Sequence, residues 1–158
     1  MPRRNGFSLI ELIIVIAIIG TLAAISSLTW QRYVANANLR TAGRDIASDF
    51  QNCKALAGSE NRIYTITFNQ GANTYSISAP ATADSGAFSP PAKTPITLGA
   101  GIQITGAAFF GTAGANIITF QPRGTSANGT LTLTNARGST AVITTVVTGR
   151  THVSFTMQ

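Results

Sequence analysis

Apolar residues fill the start of the chain almost without a break. Between positions 7 and 30 the only charged side chain is Glu11. A helix over these roughly 24 positions is roughly 36 Å long, enough to cross a ~30 Å hydrocarbon core. After Trp30 the pattern narrows to a stripe. Leu39, Ala42, Ile46, Phe50, Cys53 and Ala57 recur at steps of three and four, which is one face of a helix. Arg40, Arg44, Asp45, Asp49 and Lys54 fall mostly off that face, and no proline lies between Pro2 and Pro80. Gly58 is the expected terminator. The pattern predicts one helix over about 7–57, roughly 75 Å long. Its first half is apolar all round; its second half lays the stripe, with a buried Cys53, on a globular domain.

From Arg62 the period falls to two. Tyr64, Ile66 and Phe68 alternate with Ile63, Thr65 and Thr67. The stretch NQGAN at 69–73 is a turn, and Tyr75, Ile77 and Ala79 lead a returning strand, so 63–79 is a hairpin. Pro80, Pro90, Pro91 and Pro95 make 80–95 a loop. Further strands are expected at 102–105, 116–121, 129–135, 141–148 and 151–157. In GTLTLTN, 129–135, Leu131 and Leu133 face one way while the threonines face the other, as in a half-buried antiparallel strand. The fold class is α+β: one long N-terminal helix packed on an antiparallel β-sheet.

Composition removes most chemistry. Of 158 residues only 10% are charged, against ~25% in an average soluble protein. The net charge of +6 permits contact with nucleic acid or acidic surfaces. A single cysteine excludes an internal disulfide. The single histidine, His152, has no acid or cysteine near it in sequence, so no catalytic group assembles and an enzyme is not expected. Asp84 is the last carboxylate of the chain, too few for a calcium site. GTAGAN at 111–116 lacks the Lys and Ser/Thr of a phosphate loop and reads as a turn. No metal and no cofactor is implied.

Glu11 admits three readings. A secretory signal would have Arg3 and Arg4 as its basic start and Ala24-Ile25-Ser26 as a cleavage site. A plain anchor would keep Arg3 and Arg4 cytoplasmic. Both leave a carboxylate in hydrocarbon, at ~2.5 kcal/mol or more near the centre. The third reading cuts the chain between Gly6 and Phe7. The new α-amine then lies four residues from Glu11, within reach on the same helix or from a neighbouring subunit. Either pairing lowers the cost of the acid, and the second also sets register between subunits.

The residues Gly6-Phe7-Ser8-Leu9-Ile10-Glu11 resemble the class III signal of type IV pilins and type II secretion pseudopilins. The resemblance implies cleavage after Gly6 and N-methylation of Phe7 by a prepilin peptidase. It implies that Glu11 docks the subunit among other pilins or pseudopilins in a helical filament. The layout becomes a leader at 1–6, a transmembrane or filament-core helix at 7–30, an amphipathic helix at 31–58 and a β-sheet domain at 59–158, the pilin fold. The expected location is the inner membrane, single-pass and in contact with its lipid before assembly, with the C-terminal domain periplasmic or extracellular. Related filaments loosen this helix near the position of Gly20. Many members carry a proline eight residues later, where this chain has Leu28.

The stretch ITFQPRGTSANGTLTLTNARG at 118–138, with TGR at 148–150, resembles the GspH/FimT family of minor pseudopilins and minor pilins. A structural subunit acting in initiation or at the tip is the expected role. Some FimT-like pilins bind DNA through a Gly-Arg-x-Arg stretch. Here the matching residues are Gly149-Arg150-Thr151-His152, with histidine in place of the second arginine. Arg123 and Arg137, in turns, are expected to join Arg150 in a loose DNA-binding patch.

Overall fold

The computed structural model describes residues 8–79, 93–111 and 115–158, without the side chains of 25–29 and 93–94. One helix, α1, runs over Leu9–Ser59. Ser8 precedes it, and its carbonyl accepts the N–H of Glu11 at 3.1 Å and of Leu12 at 3.3 Å. Ser8-x-x-Glu11 is the residue pattern of a capping box. An acid in the first turn also complements the positive end of the helix dipole. The helix continues through Gly20 and Leu28 without a break.

The helix end differs from the sequence expectation. Gly58 lies within the last turn, and the chain turns instead at Asn61, whose φ is 52°. The Arg62 N–H donates to the Ala57 carbonyl at 3.1 Å, a six-to-one bond that closes the helix. Asparagine is among the few residues besides glycine that visit this left-handed region.

Among the described residues no helix is long and apolar enough to cross a membrane. The crossing expected at 7–30 includes Phe7 and the side chains of 25–29, which lie outside the described residues. The described apolar run, residues 9–24, is about 24 Å long as a helix. Its side chains are exposed, from Leu9 through Leu22. The chain divides into two compact units, Met1–Val34 and Ala35–Gln158.

In Ala35–Gln158 every member of the expected stripe is buried, Leu39, Ala42, Ile46, Phe50, Cys53 and Ala57 alike. The strands are β1 Tyr64–Asn69, β2 Thr74–Ser78, β3 Lys93–Thr97, β4 Ile102–Phe110, β5 Ile117–Phe120, β6 Asn128–Asn135, β7 Thr140–Thr145 and β8 Thr151–Thr156. They form two four-stranded sheets, ordered β3-β2-β1-β5 and β4-β6-β7-β8, where the pattern predicted one. All the pairings are antiparallel. The loop expected at 80–95 lies outside the described residues up to 92. Its last part is β3, an edge strand, and an edge tolerates Pro95 because no partner needs its missing N–H. β4 runs past the expected stop at 105 because a register shift leaves Thr105 unpaired and resumes the ladder at Gly106, opposite Thr132.

Phe50 of α1 joins both sheets. Its ring lies 6.1 Å from Phe68 of β1, 5.7 Å from Phe120 of β5 and 6.3 Å from Phe109 of β4. Phe68 and Phe109 stack at 5.7 Å. Two glycines allow close approach. A methyl at Gly43 of α1 would stand 3.1 Å from Phe155 Cε1 and 3.6 Å from Ala141 Cβ. One at Gly129 would collide with the Phe109 backbone opposite it in the β4–β6 pair.

Candidate functional site

Two places carry the residues singled out by sequence. The first is the start of α1. Glu11 occupies the first helical turn among exposed Leu9, Ile10, Leu12 and Ile13. It is the one acidic side chain in that turn. Gly6 and Phe7 lie outside the described residues.

The second is a basic cleft of about 680 Å³ in Ala35–Gln158, where the last turns of α1 meet the β5–β6 loop and the β7–β8 turn. Lys54, Ser59, Gly124, Arg150 and Thr151 are among its walls. The β7–β8 turn is tightly held. Gly149 has φ 70°, its N–H donates to the Val146 carbonyl at 2.8 Å, and the Val146 N–H donates to the Arg150 carbonyl at 3.1 Å. From the β5–β6 loop, the Ser126 hydroxyl donates to the Val146 carbonyl at 3.0 Å. Lys54 Nζ donates to the Thr148 carbonyl at 2.8 Å, tying the turn to α1. Position 149 has no room for a side chain: a methyl would lie 2.8 Å from the Gly124 carbonyl oxygen and 2.9 Å from Lys54 Cδ. Residues 146–148, expected in a strand, are therefore turn, because their carbonyls bond Ser126 and Lys54 rather than a ladder partner.

Arg150 is exposed on the cleft wall, and exposed Arg123 directly precedes Gly124. Arg137 does not join them. It lies in the β6–β7 turn, whereas Arg150 follows the β7–β8 turn, so a whole strand, β7, separates the two. His152 is exposed on β8 opposite Thr144. It alternates with cleft-lining Thr151 and so points to the other face of the sheet. Sequence reasoning missed Lys54 as a partner of the turn. Its place off the apolar stripe was visible, but its bond to Thr148, 94 positions on, had no local signal. The Thr145 and Thr151 hydroxyls, paired across strands, are buried without a partner among the described residues.

Two carboxylates are committed to tyrosines. The Tyr75 hydroxyl donates to Asp49 at 2.7 Å, and the Tyr64 hydroxyl donates to Glu60 at 2.6 Å. Burial first, and then the bonded carboxylate, push Tyr64 up to about 12 and raise Tyr75 as well. Among the described residues no three of His, Cys, Asp and Glu gather as metal ligands; Asp84 lies outside them.

A helix that begins apolar and acid-bearing and then serves as one wall of a two-sheet domain defines a pilin-like subunit. Comparison with known proteins agrees. A family model for the prokaryotic N-terminal methylation motif matches residues 1–27, and one for type II transport protein GspH matches residues 42–150. The chain belongs to the GspH family and is a minor pilin or pseudopilin of a type IV pilus or type II secretion system. It is 55% identical over 42 residues to a fimbrial protein of Moraxella nonliquefaciens, and spans 27% of that relative's length. Two solved structures share the fold. The type IV minor pilin FimU of Pseudomonas aeruginosa is 15% identical, with a TM-score of 0.56 over 77% of this chain and 92% of FimU. The minor pseudopilin EpsH of the Vibrio cholerae type 2 secretion system is 13% identical, with a TM-score of 0.59 over 75% of this chain and 97% of EpsH.

Proposed function

We propose that this chain is an architectural subunit, cut after Gly6, methylated on the Phe7 amine, held in the inner membrane by residues 7–30, and docked through Glu11 at the start or tip of a filament. The supporting observation is the lone carboxylate in the first turn of a helix whose other first-turn side chains are exposed and apolar. Pairing with an α-amine neutralises Glu11 and fixes axial register in one step. Mass spectrometry of membrane-extracted protein tests the processing, with N-methyl-Phe7 as the first residue. A chain that still begins at Met1, or that begins near Ser27, overturns it. Glu11→Gln tests the docking: processing should persist while incorporation into filaments falls.

A second reading is DNA binding, supported by Lys54 and Arg150 in one cleft beside the loop that carries Arg123. Phosphate contacts of this kind are salt-sensitive and indifferent to sequence. The full chain in a neutral detergent, titrated with duplex DNA at two salt concentrations beside Arg150→Ala, tests it. Binding that weakens with salt and with the substitution supports uptake of DNA. No binding at low salt leaves the architectural role alone.

A further inference from the structure

The segment between the apolar run and the buried stripe carries an exposed aromatic pair. Trp30 and Tyr33 are each 68% exposed. Their rings lie 6.2 Å apart at 36°, on one helix face by their spacing of three. Leu39 is the first fully buried side chain after them. Trp and Tyr combine an apolar ring with a polar tip and concentrate where hydrocarbon meets water. Arg32, exposed between them, has an apolar stem and a cationic head suited to a lipid phosphate.

The spacing to Glu11 adds a second constraint. At 1.5 Å per residue, Glu11 and Trp30 are about 28 Å apart along α1. That is close to one hydrocarbon thickness of ~30 Å. With Trp30 at one headgroup layer, Glu11 reaches the other. There its ionised form costs far less than at the bilayer centre.

We propose that Trp30 and Tyr33 anchor the unassembled subunit in the phospholipid headgroup layer on the side of the globular domain, and thereby hold Glu11 at the opposite headgroup layer. This rests on the membrane insertion put forward above. The lipid is the occupant because the pair directly follows the apolar run, exposes its rings and is flanked by a cation. The anchor keeps the docking carboxylate at a depth where an α-amine can approach it without crossing hydrocarbon.

Trp30 is the only tryptophan of the chain, so its own emission reports its depth. The full chain would be reconstituted in phosphatidylcholine–phosphatidylglycerol vesicles whose acyl chains carry bromine near the headgroup or near the chain end. Bromine near the headgroup should quench Trp30 more strongly. The Ile19→Trp, Trp30→Phe chain should show the reverse order. Adding Tyr33→Ala and replacing Trp30 by Ala should broaden the Ile19→Trp depth profile. Protein that floats with vesicles but is quenched best by deep bromine overturns the anchor alone. So does an Ile19→Trp profile indifferent to both aromatic substitutions. Protein that neither floats with vesicles nor is quenched by any lipid overturns membrane insertion, and the anchor with it.

Discussion

Asn36 on α1 accepts the Ser139 hydroxyl at 2.8 Å, 103 positions away in sequence. The same Asn36 Oδ1 accepts Asn135 Nδ2 at 2.9 Å. Asn135 in turn receives the backbone N–H groups of Arg137 and Ser139, and the Ser139 hydroxyl accepts the Gln158 N–H at 3.0 Å. One asparagine therefore gathers the helix, the β6–β7 turn and the last residue of the chain.

Replacing Asn36 by Ala leaves buried Ser139 and Asn135 short of an acceptor. Each lost bond in such a place is worth about 1 kcal/mol, so Asn36→Ala should lower unfolding stability by about 2 kcal/mol. Urea titration of the detergent-solubilised chain, followed by circular dichroism, measures it. An unchanged midpoint would show that water replaces the clip without loss.

Gly149→Ala should lose more than Gly101→Ala. Both positions have positive φ, 70° and 78°, and each owes about 1 kcal/mol to that strain. Only Gly149 is also crowded, by the Gly124 carbonyl and the Lys54 stem, which should add about 1–3 kcal/mol. The difference between the two midpoints separates this crowding, by Gly124 and Lys54 together, from the cost of positive φ that both positions share.

Phe50→Ala should cost about 3–5 kcal/mol, since Phe50 is fully buried and touches aromatic rings from both sheets. Both sheets should then loosen together in hydrogen exchange. Loss of protection in one sheet alone would contradict the shared core.

Alkali should weaken the fold. Tyr64 rises from an ordinary 10.0 to about 12, first through burial and then through Glu60; Tyr75 rises likewise through burial and Asp49. A raised folded value means that the unfolded chain loses the proton first. The stabilisation is complete below pH 10 and is lost as pH climbs through about 12. Unfolding midpoints taken across that range should fall. Tyr64→Phe and Tyr75→Phe should each flatten the decline.

The helix was legible because its signal is local. Steps of three and four from Leu39 to Ala57 marked six residues that are all buried. The hairpin of β1 and β2 was equally plain, since alternation and a turn sit side by side. What was hidden depends on partners far away. Nothing near Gly58 shows that the chain would turn at Asn61 instead. Strand patterns do not say which strands pair, so two sheets looked like one. Arg137 and Arg150 lie close in sequence, yet they stand beyond opposite ends of β7. At the candidate cleft, Arg150 stood out in the sequence, while Lys54 gained its place only through the bond to Thr148.

The notch at Gly43 has a mechanical consequence. Phe155 seats where a side chain would otherwise stand, so α1 is keyed against the sheet like a toothed rack. The buried stripe extends about 27 Å along the helix axis. A pull along that axis loads the notch and the stripe in shear, all at once. Contacts strained in parallel resist far more force than contacts peeled one by one.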